Sequence, residues 1–548
     1  MSTTKSKATK SKAKTAAKPA KATAKPAKAL ARPVVVKSAP KKAAPKTAAK
    51  AAPKAAAKTA PKAAPKTAAA KTAKTVVAKP AIQAAPKAAA KPALKSVPPP
   101  EPKAAPKIAP FVAATTAATL ALTPLADGTP AARAQLDKLM GRGRGTADVE
   151  ATVRGILDAV RKDGDTAIAR FTKEFDGVSL TPAKFRVTAK DIAAARRRIP
   201  KALSTALETA HARIHAFHSM QRESSFEKRE KGIQLGLGVA PLGHVGVYVP
   251  GGKAAYPSSV LMNIVPAKVA GVPEITVVTP ACKDGVPDAV LAAASIAGAS
   301  RVLQIGGAQA IGALAYGTKT VGRVDKIVGP GNTYVATAKR LVFGEVAIDM
   351  VAGPSEILII ADDSADPAWV AADMLAQAEH DELAAAICIT TSRSHAAMVA
   401  LCVEKQCAQL SRSAIAAKAL GAFGTILVVK SLERACELAN LIAPEHLEVN
   451  TRTPRQVLPL LHNAGAIFLG AYSAEAMGDY AAGPNHVLPT GGAARFSSPL
   501  GVYDFVKRTS IIEIDPRGFE LLAPTVLELA RAEGLEAHAQ AVIRRMKS

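Results

Sequence analysis

The sequence predicts an α/β protein: a body with two sheet-bearing lobes and small helical parts, preceded by a basic, disordered tail. Three observations carry this. Residues 1–110 hold 27 Lys and Arg against one acid, Glu101, whereas the remainder holds 46 bases against 42 acids. Past Gly232, short β-branched runs alternate with helical stretches, the pattern of a largely parallel sheet covered on both faces. The C-terminal segment instead carries two helical runs with no strand after them.

Residues 1–128 read as tail and linker. Units such as "AAPKAAAKTAPKAAPKTAAAK" place Pro where an Ala/Lys helix would have to continue, and they offer no large apolar side chains for a core. The formal net charge of +30 belongs almost wholly to this tail. Its bases are Lys except Arg32, Ser is sparse, and no apolar run opens it, which argues against organellar and secretory leaders. Ile108–Ala126 is 19 uncharged residues, long enough to span a bilayer. It is nevertheless Ala/Thr-rich and contains Pro110 and Pro124, so a linker and no membrane association are expected. Cys282, Cys388, Cys402, Cys407 and Cys436 are odd in number and form no C-x-x-C pair, which suits free thiols in a reducing cytoplasm.

The body, 129–548, begins with helical patterns in "TADVEATVRGILDAVRKDG" and "TAIARFTKEF", then one long amphipathic run from Asp191 to about Gln221. Strands follow at "HVGVYV", "ITVVT", "RVLQI", "DKIV", "EILIIA", "AAICITT" and "TILVV", with helices starting at Pro257, Pro287, Ala308, Asn332, Asp366, Ser394 and Leu432. Residues 244–356 form one α/β lobe in this reading, and 500–548 a helical arm divided near Gly534.

Glycine turns recur directly after strands, in "YVPGG" (248–252), "IGGAQ" (305–309) and "VGPGN" (328–332). In an open parallel sheet such loops meet at one crevice, where helix N-termini offer N–H groups to an anion, so a dinucleotide or other phosphate ligand is indicated. A lone glycine loop is more often just a turn. "GVYVPGGKA" is not a P-loop: Gly252 intervenes before Lys253, and Ala254 stands where a magnesium-binding hydroxyl is required. No G-x-G-x-x-G with a following acid is present either.

"DMLAQAEHDELAAA" (373–386) sets Gln377 and His380 three apart in what reads as a helix, hence on one face; alone, such a pair is usually a solvated surface. "APEHLEV" places Glu445 beside His446 ahead of a strand, and "AGPSE" places Ser355 ahead of another. "GDYAAGPNHVLPTGG" (478–492) offers Asp479 and His486 in a segment too rich in Gly and Pro for a helix. Each His alone is most often structural; together they resemble a site.

These segments, with "VGVYVPGGKAAYPSSVLM", "VDKIVGPGN", "IDMVAGPSEILIIAD" and "RAEGLEAHAQAV", occur in the order found in histidinol dehydrogenases, and the body resembles that family from about residue 130 onward. The resemblance implies two incomplete Rossmann-like lobes in an intertwined homodimer. It implies oxidation of L-histidinol to L-histidine through the aldehyde with two NAD+. Zn2+ would be held by Gln377, His380, Asp479 and, from the other subunit's arm, His538. By the same resemblance His446 is the catalytic base and Glu445 activates water for the second oxidation. Ser355, His486 and Glu533, with the metal ligands and Glu445, would contact substrate, and Tyr248, Gln309 and Asn332 would bind NAD. Those three fall in the glycine loops. Pro484 departs from the family pattern between Asp479 and His486 without removing either side chain.

A Lys-rich tail also suggests a nucleic-acid-binding protein. Without aromatics or a reading element, it predicts weak, salt-sensitive binding to polyanions, compatible with an enzyme body; a purely solubilising tail is the plain alternative.

Overall fold

The protein is described here by a computed structural model covering residues 120–142, 147–251 and 255–547. The expectations for residues 1–119 and for the glycine-lysine turn at 252–254 lie outside the described residues.

The chain enters as edge strand β1 (Leu125–Ala126) and helix α1 (Pro130–Met140), followed by α2 (Ala147–Asp163), α3 (Asp165–Asp176), α4 (Ala189–Arg198) and α5 (Lys201–Ser219). A hairpin of β2 (Phe226–Glu230) and β3 (Ile233–Pro241) turns at Lys231 and Gly232, both at positive φ, the geometry that matches strand twist. The first lobe then runs β4 (His244–Tyr248), α6 (Pro257–Ala270), β5 (Glu274–Val278), α7 (Asp288–Ala297), β6 (Arg301–Leu303), α8 (Gly307–Tyr316), β7 (Lys326–Val328), α9 (Thr333–Val342) and β8 (Ala347–Ile348). The second runs β9 (Glu356–Ala361), α10 (Pro367–Ala378), β10 (Ala385–Thr390), α11 (Arg393–Cys407), α12 (Ser413–Phe423), β11 (Thr425–Val428) and α13 (Leu432–Ile442). It continues through β12 (His446–Asn450), α14 (Pro454–Val457), β13 (Ala466–Leu469) and α15 (Glu475–Tyr480). Strand β14 (Val506–Ile514) and helices α16 (Pro516–Ala532) and α17 (Glu536–Met546) end the chain.

Both lobes are parallel sheets, ordered β6-β5-β4-β7-β8 and β1-β11-β10-β9-β12-β13, and a three-stranded antiparallel sheet, β14-β3-β2, stands beside them. The strands read from β-branched runs are present. β9, "EILIIA", is buried at every residue, as a central strand covered on both faces must be. Its Ile357 and Ile359 pack toward α10, α11 and α12, while Leu358 and Ile360 pack toward α1 and α13. In the first lobe, Val245, Val247 and Val249 face α5, α6 and α7, and Tyr248 faces the side of α2, α3, α8 and α9.

Four expectations are corrected. The linker does not run to residue 128: Leu125 and Ala126 pair with Leu427 and Val428 as an edge strand, and Leu120 and Leu122 pack on the second lobe's core. The long helix from Asp191 breaks into α4 and α5, because the Pro200 ring drives Ile199 out of the helical region, to ψ 152°. Asp479 does lie in a helix, in the last turn of α15, before the glycines take over. Conversely, α10 ends at Ala378, so His380 stands in the following turn rather than on the helix with Gln377. Among the described residues no helix is long and apolar enough to cross a membrane, and all five cysteines are free thiols.

Candidate active site

A polar layer lies where an apolar one is the rule. β12 is buried throughout, with Leu447 and Val449 in the apolar core on the α13 side. Strand alternation therefore turns His446, Glu448 and Asn450 to the other face, toward α10. There α10 presents Asp373 and Gln377, one turn apart. The Gln377 amide oxygen lies 3.2 Å from His446 Nδ1, and Glu448 accepts the Glu475 backbone N–H at 2.8 Å, anchoring the start of α15. That anchor places Glu475 and, four residues on, Asp479 beside the His446 ring. Its Nδ1 lies 3.4 Å from Glu475 Oε1, and its Nε2 3.6 Å from Asp479 Oδ1.

His446 opens onto a cavity of about 820 Å³ between the lobes, lined also by Ser355, His380, Glu445, Asp479 and His486. Six of the residues singled out from sequence thus converge on one space, from segments more than a hundred residues apart. His486 is oriented by Nδ1 donating to the Asp479 backbone carbonyl at 3.0 Å, and Ser259 Oγ lies 3.4 Å from its Nε2. Gln377 is fully buried behind His446 and does not line the cavity. Glu533 and His538, on the exposed terminal arm, do not line it either.

Electrostatics set the proton states. Burial works against charge on His446, but Glu475, Glu445 and Asp479 around it raise its proton affinity well above the ordinary imidazole value. Burial, with Glu356 and Glu475 nearby, pushes Glu445 up to about 8 despite the opposing influence of His446. Glu475 is raised to about 7, chiefly by burial. Asp479 stays low, because His446, His486 and His380 around it outweigh its burial.

The donor set suits a cation. Asp479 Oδ1, both Glu475 carboxylate oxygens and His446 Nε2 are buried without hydrogen-bond partners, an arrangement that proteins tolerate when an ion or substrate completes it. The tightest cluster of possible ligand atoms among the described residues is His446, Glu475 and Asp479, all within 4.8 Å of one another. It shares Asp479 with the expected ligand set. Glu475 was missed in the sequence. Its signal was the i, i+4 spacing to Asp479, which only a helical reading of "EAMGDY" exposes.

Two of the three glycine loops form the adjoining wall, with Pro250, Gly329 and Gly331 reaching the cavity, while residues 305–309, Tyr248 and Asn332 do not line it. Tyr248 knits them together. Its hydroxyl accepts the Gly307 N–H at 3.2 Å, and burial lifts its pKa to about 12, keeping it a neutral hydroxyl. Gln309 is fully buried on the first turn of α8, with neither amide atom hydrogen-bonded. Asn332 caps α9 by accepting the Val335 N–H at 3.1 Å and is exposed. The three residues sit at the carboxyl ends of parallel strands β4, β6 and β7.

Comparisons with known proteins agree. The family model described as histidinol dehydrogenase matches residues 141–546. A histidinol dehydrogenase of Aquifex aeolicus is 59% identical over 395 residues, covering 72% of this chain and 92% of that protein. One from Syntrophotalea carbinolica is 54% identical over 416 residues, covering 76% and 96%. The crystal structure of histidinol dehydrogenase from Elizabethkingia anophelis superimposes with a TM-score of 0.74 at 36% identity, covering 79% of this chain and 99% of that one. Fold, ordered motifs and extent of match together show that the chain belongs to the histidinol dehydrogenase family.

Proposed function

We propose that this oxidoreductase of histidine biosynthesis converts L-histidinol to L-histidine through the aldehyde by two successive hydride transfers to NAD+. It works as a cytoplasmic homodimer whose terminal arms complete each other's sites. The observation that carries this reading is the convergence of Asp479, His380, His486 and the Glu445–His446 pair on one cavity walled by the glycine loops after β4 and β7.

Gln377, His380 and Asp479, with His538 of the partner subunit, would hold a zinc ion, which supplies a Lewis-acidic anchor for the imidazole and amine nitrogens of the substrate. Mixed N/O ligation fits that role, and the unpartnered Asp479 oxygen is the observation in its favour. His486 and Ser355, with Glu533 of the partner subunit, fix the substrate's orientation. Tyr248, Gln309 and Asn332 hold NAD beside it.

A hydride leaves an alcohol carbon only as the hydroxyl loses its proton. His446, whose anionic neighbours strengthen its hold on a proton, is the acceptor. The aldehyde must then add water before a second hydride can leave. Glu445, one residue away, takes the proton of that water.

The test uses purified enzyme. Histidinol-dependent NADH formation should vanish on chelation and return with zinc. His446→Ala should lower turnover by about 10²–10⁴ while retaining the metal, whereas His380→Ala should lose both. The reverse pattern overturns the assignment of roles, and equal turnover of an amino alcohol lacking the imidazole overturns the substrate.

A further inference from the structure

Among the buried charges that the proposed mechanism does not use is Arg142. Arg142 follows the Gly141 cap of α1, and its side chain is only 5% exposed, beneath the second lobe on the α1 side of the sheet. Its Nη2 donates to the Pro354 carbonyl at 3.1 Å and to the Glu356 carboxylate, and its Nε is buried without a partner. The guanidinium also lies 5.6 Å from the centre of the Phe423 ring.

What Arg142 grips is the frame of the site. Glu356 is the first residue of β9, and its Oε1 accepts the Gly491 N–H at 2.7 Å, in the loop after His486. The Glu356 backbone N–H donates to Glu445 Oε2 at 3.2 Å. Pro354 is the neighbour of Ser355. One guanidinium therefore ties together the loop bearing Ser355, the loop after His486 and the residue that holds the Glu445 carboxylate. A charge buried this deeply is a poor source of stability, since desolvation offsets its attraction to Glu356. The two residues have different holders: Glu445 is reached from Arg142 through Glu356, whereas His446, though its Nδ1 lies 4.0 Å from Glu445 Oε2, is set by Gln377, Glu475 and Asp479.

Resting on the reading of Glu445 given above, we propose that Arg142 is a positioning residue for the second oxidation, setting the Glu445 carboxylate through Glu356. In that step water oxygen bonds to the aldehyde carbon as Glu445 takes one water proton and the carbonyl oxygen gains a proton, giving the hydrate. Hydride then passes from that carbon to NAD+, and a hydroxyl proton leaves to base, yielding the carboxylic acid and NADH. A displaced Glu445 slows hydration but leaves the first hydride transfer, served by His446, largely in place.

The experiment compares zinc-loaded, full-length Arg142→Gln, Arg142→Lys and Glu356→Gln with wild type. Alcohol and aldehyde oxidation are measured separately in single turnovers. The expected result is a kcat loss on the aldehyde at least about tenfold greater than on the alcohol, with free aldehyde appearing in the variants. Arg142→Lys, which keeps the charge on a shorter side chain without the planar guanidinium, should fall between. Equal losses in both half-reactions, or none, overturn the proposal, as does a loss explained by the folded fraction from thermal melting. If Arg142→Gln does not fold, the Lys variant and Glu356→Gln decide. Glu445→Gln separates the two ideas: selective aldehyde loss there but not in the Arg142 variants sinks this inference alone. No selective loss in Glu445→Gln sinks the reading beneath it.

Discussion

Glu445 and His446 are neighbours in the chain whose side chains also approach each other, His446 Nδ1 lying 4.0 Å from Glu445 Oε2, and in the proposed mechanism they are two proton acceptors serving one substrate. Both are raised, for different reasons: burial, with Glu356 and Glu475 nearby, raises Glu445, whereas Glu475, Glu445 and Asp479 raise His446 against the effect of its burial, so that each accepts a proton only from its deprotonated form. Water activation requires the Glu445 carboxylate, the form populated above its raised pKa of about 8. Aldehyde oxidation should therefore climb as pH rises through that value and fall by about tenfold per unit below it. Glu445→Gln should flatten the profile as well as lower it; an unchanged profile in that variant assigns the titration to another group. The sequence showed both residues, since "EH" ahead of a strand is conspicuous. It hid Arg142, Glu356 and Glu475, because their roles depend on which buried carboxylates face each other across elements.

At the scale of elements, the turns after β4 and β7 shape the cavity wall that the proposed mechanism gives to the cofactor. Gly329 sits at φ +107°, and a Cβ there would collide with the Tyr248 carbonyl oxygen. Gly329→Ala should thus cost about 1–3 kcal/mol in stability. It should also raise KM for NAD+ more than KM for histidinol, measured by denaturant melts and steady-state kinetics. A KM for NAD+ equal to wild type would detach this turn from cofactor binding. The glycine turns were legible because strand-Gly pairs announce themselves locally. The β14-β3-β2 sheet was not: β3, "IQLGLGVAP", is diluted by Gly, and β14 is exposed along most of its length, so neither offers an apolar period. The α4–α5 break was written in Pro200 but overridden by a continuous amphipathic pattern. α15 was concealed because one short helix runs straight into a Gly- and Pro-rich loop.

At the scale of the whole molecule, the near-neutral body and the Lys-rich tail are separable in charge, and the resemblance to known dehydrogenases falls on the body alone. We propose that the tail binds polyanions without sequence preference. A mobility-shift series with and without residues 1–119 should show DNA retention only with the tail, weakening steeply between about 50 and 200 mM salt. Equal retention by both forms would remove that role. Glu533 and His538 are exposed on the terminal arm and do not line the cavity of their own chain, which is compatible with the proposed role of that arm at a second copy. No local sequence pattern records where such an arm docks.

In the proposed mechanism one cavity performs both oxidations without handing the aldehyde elsewhere. The number of NADH formed per histidinol consumed by the purified protein with zinc and NAD+ measures this. Two NADH and stoichiometric histidine are expected. One NADH with aldehyde accumulating in solution would contradict it.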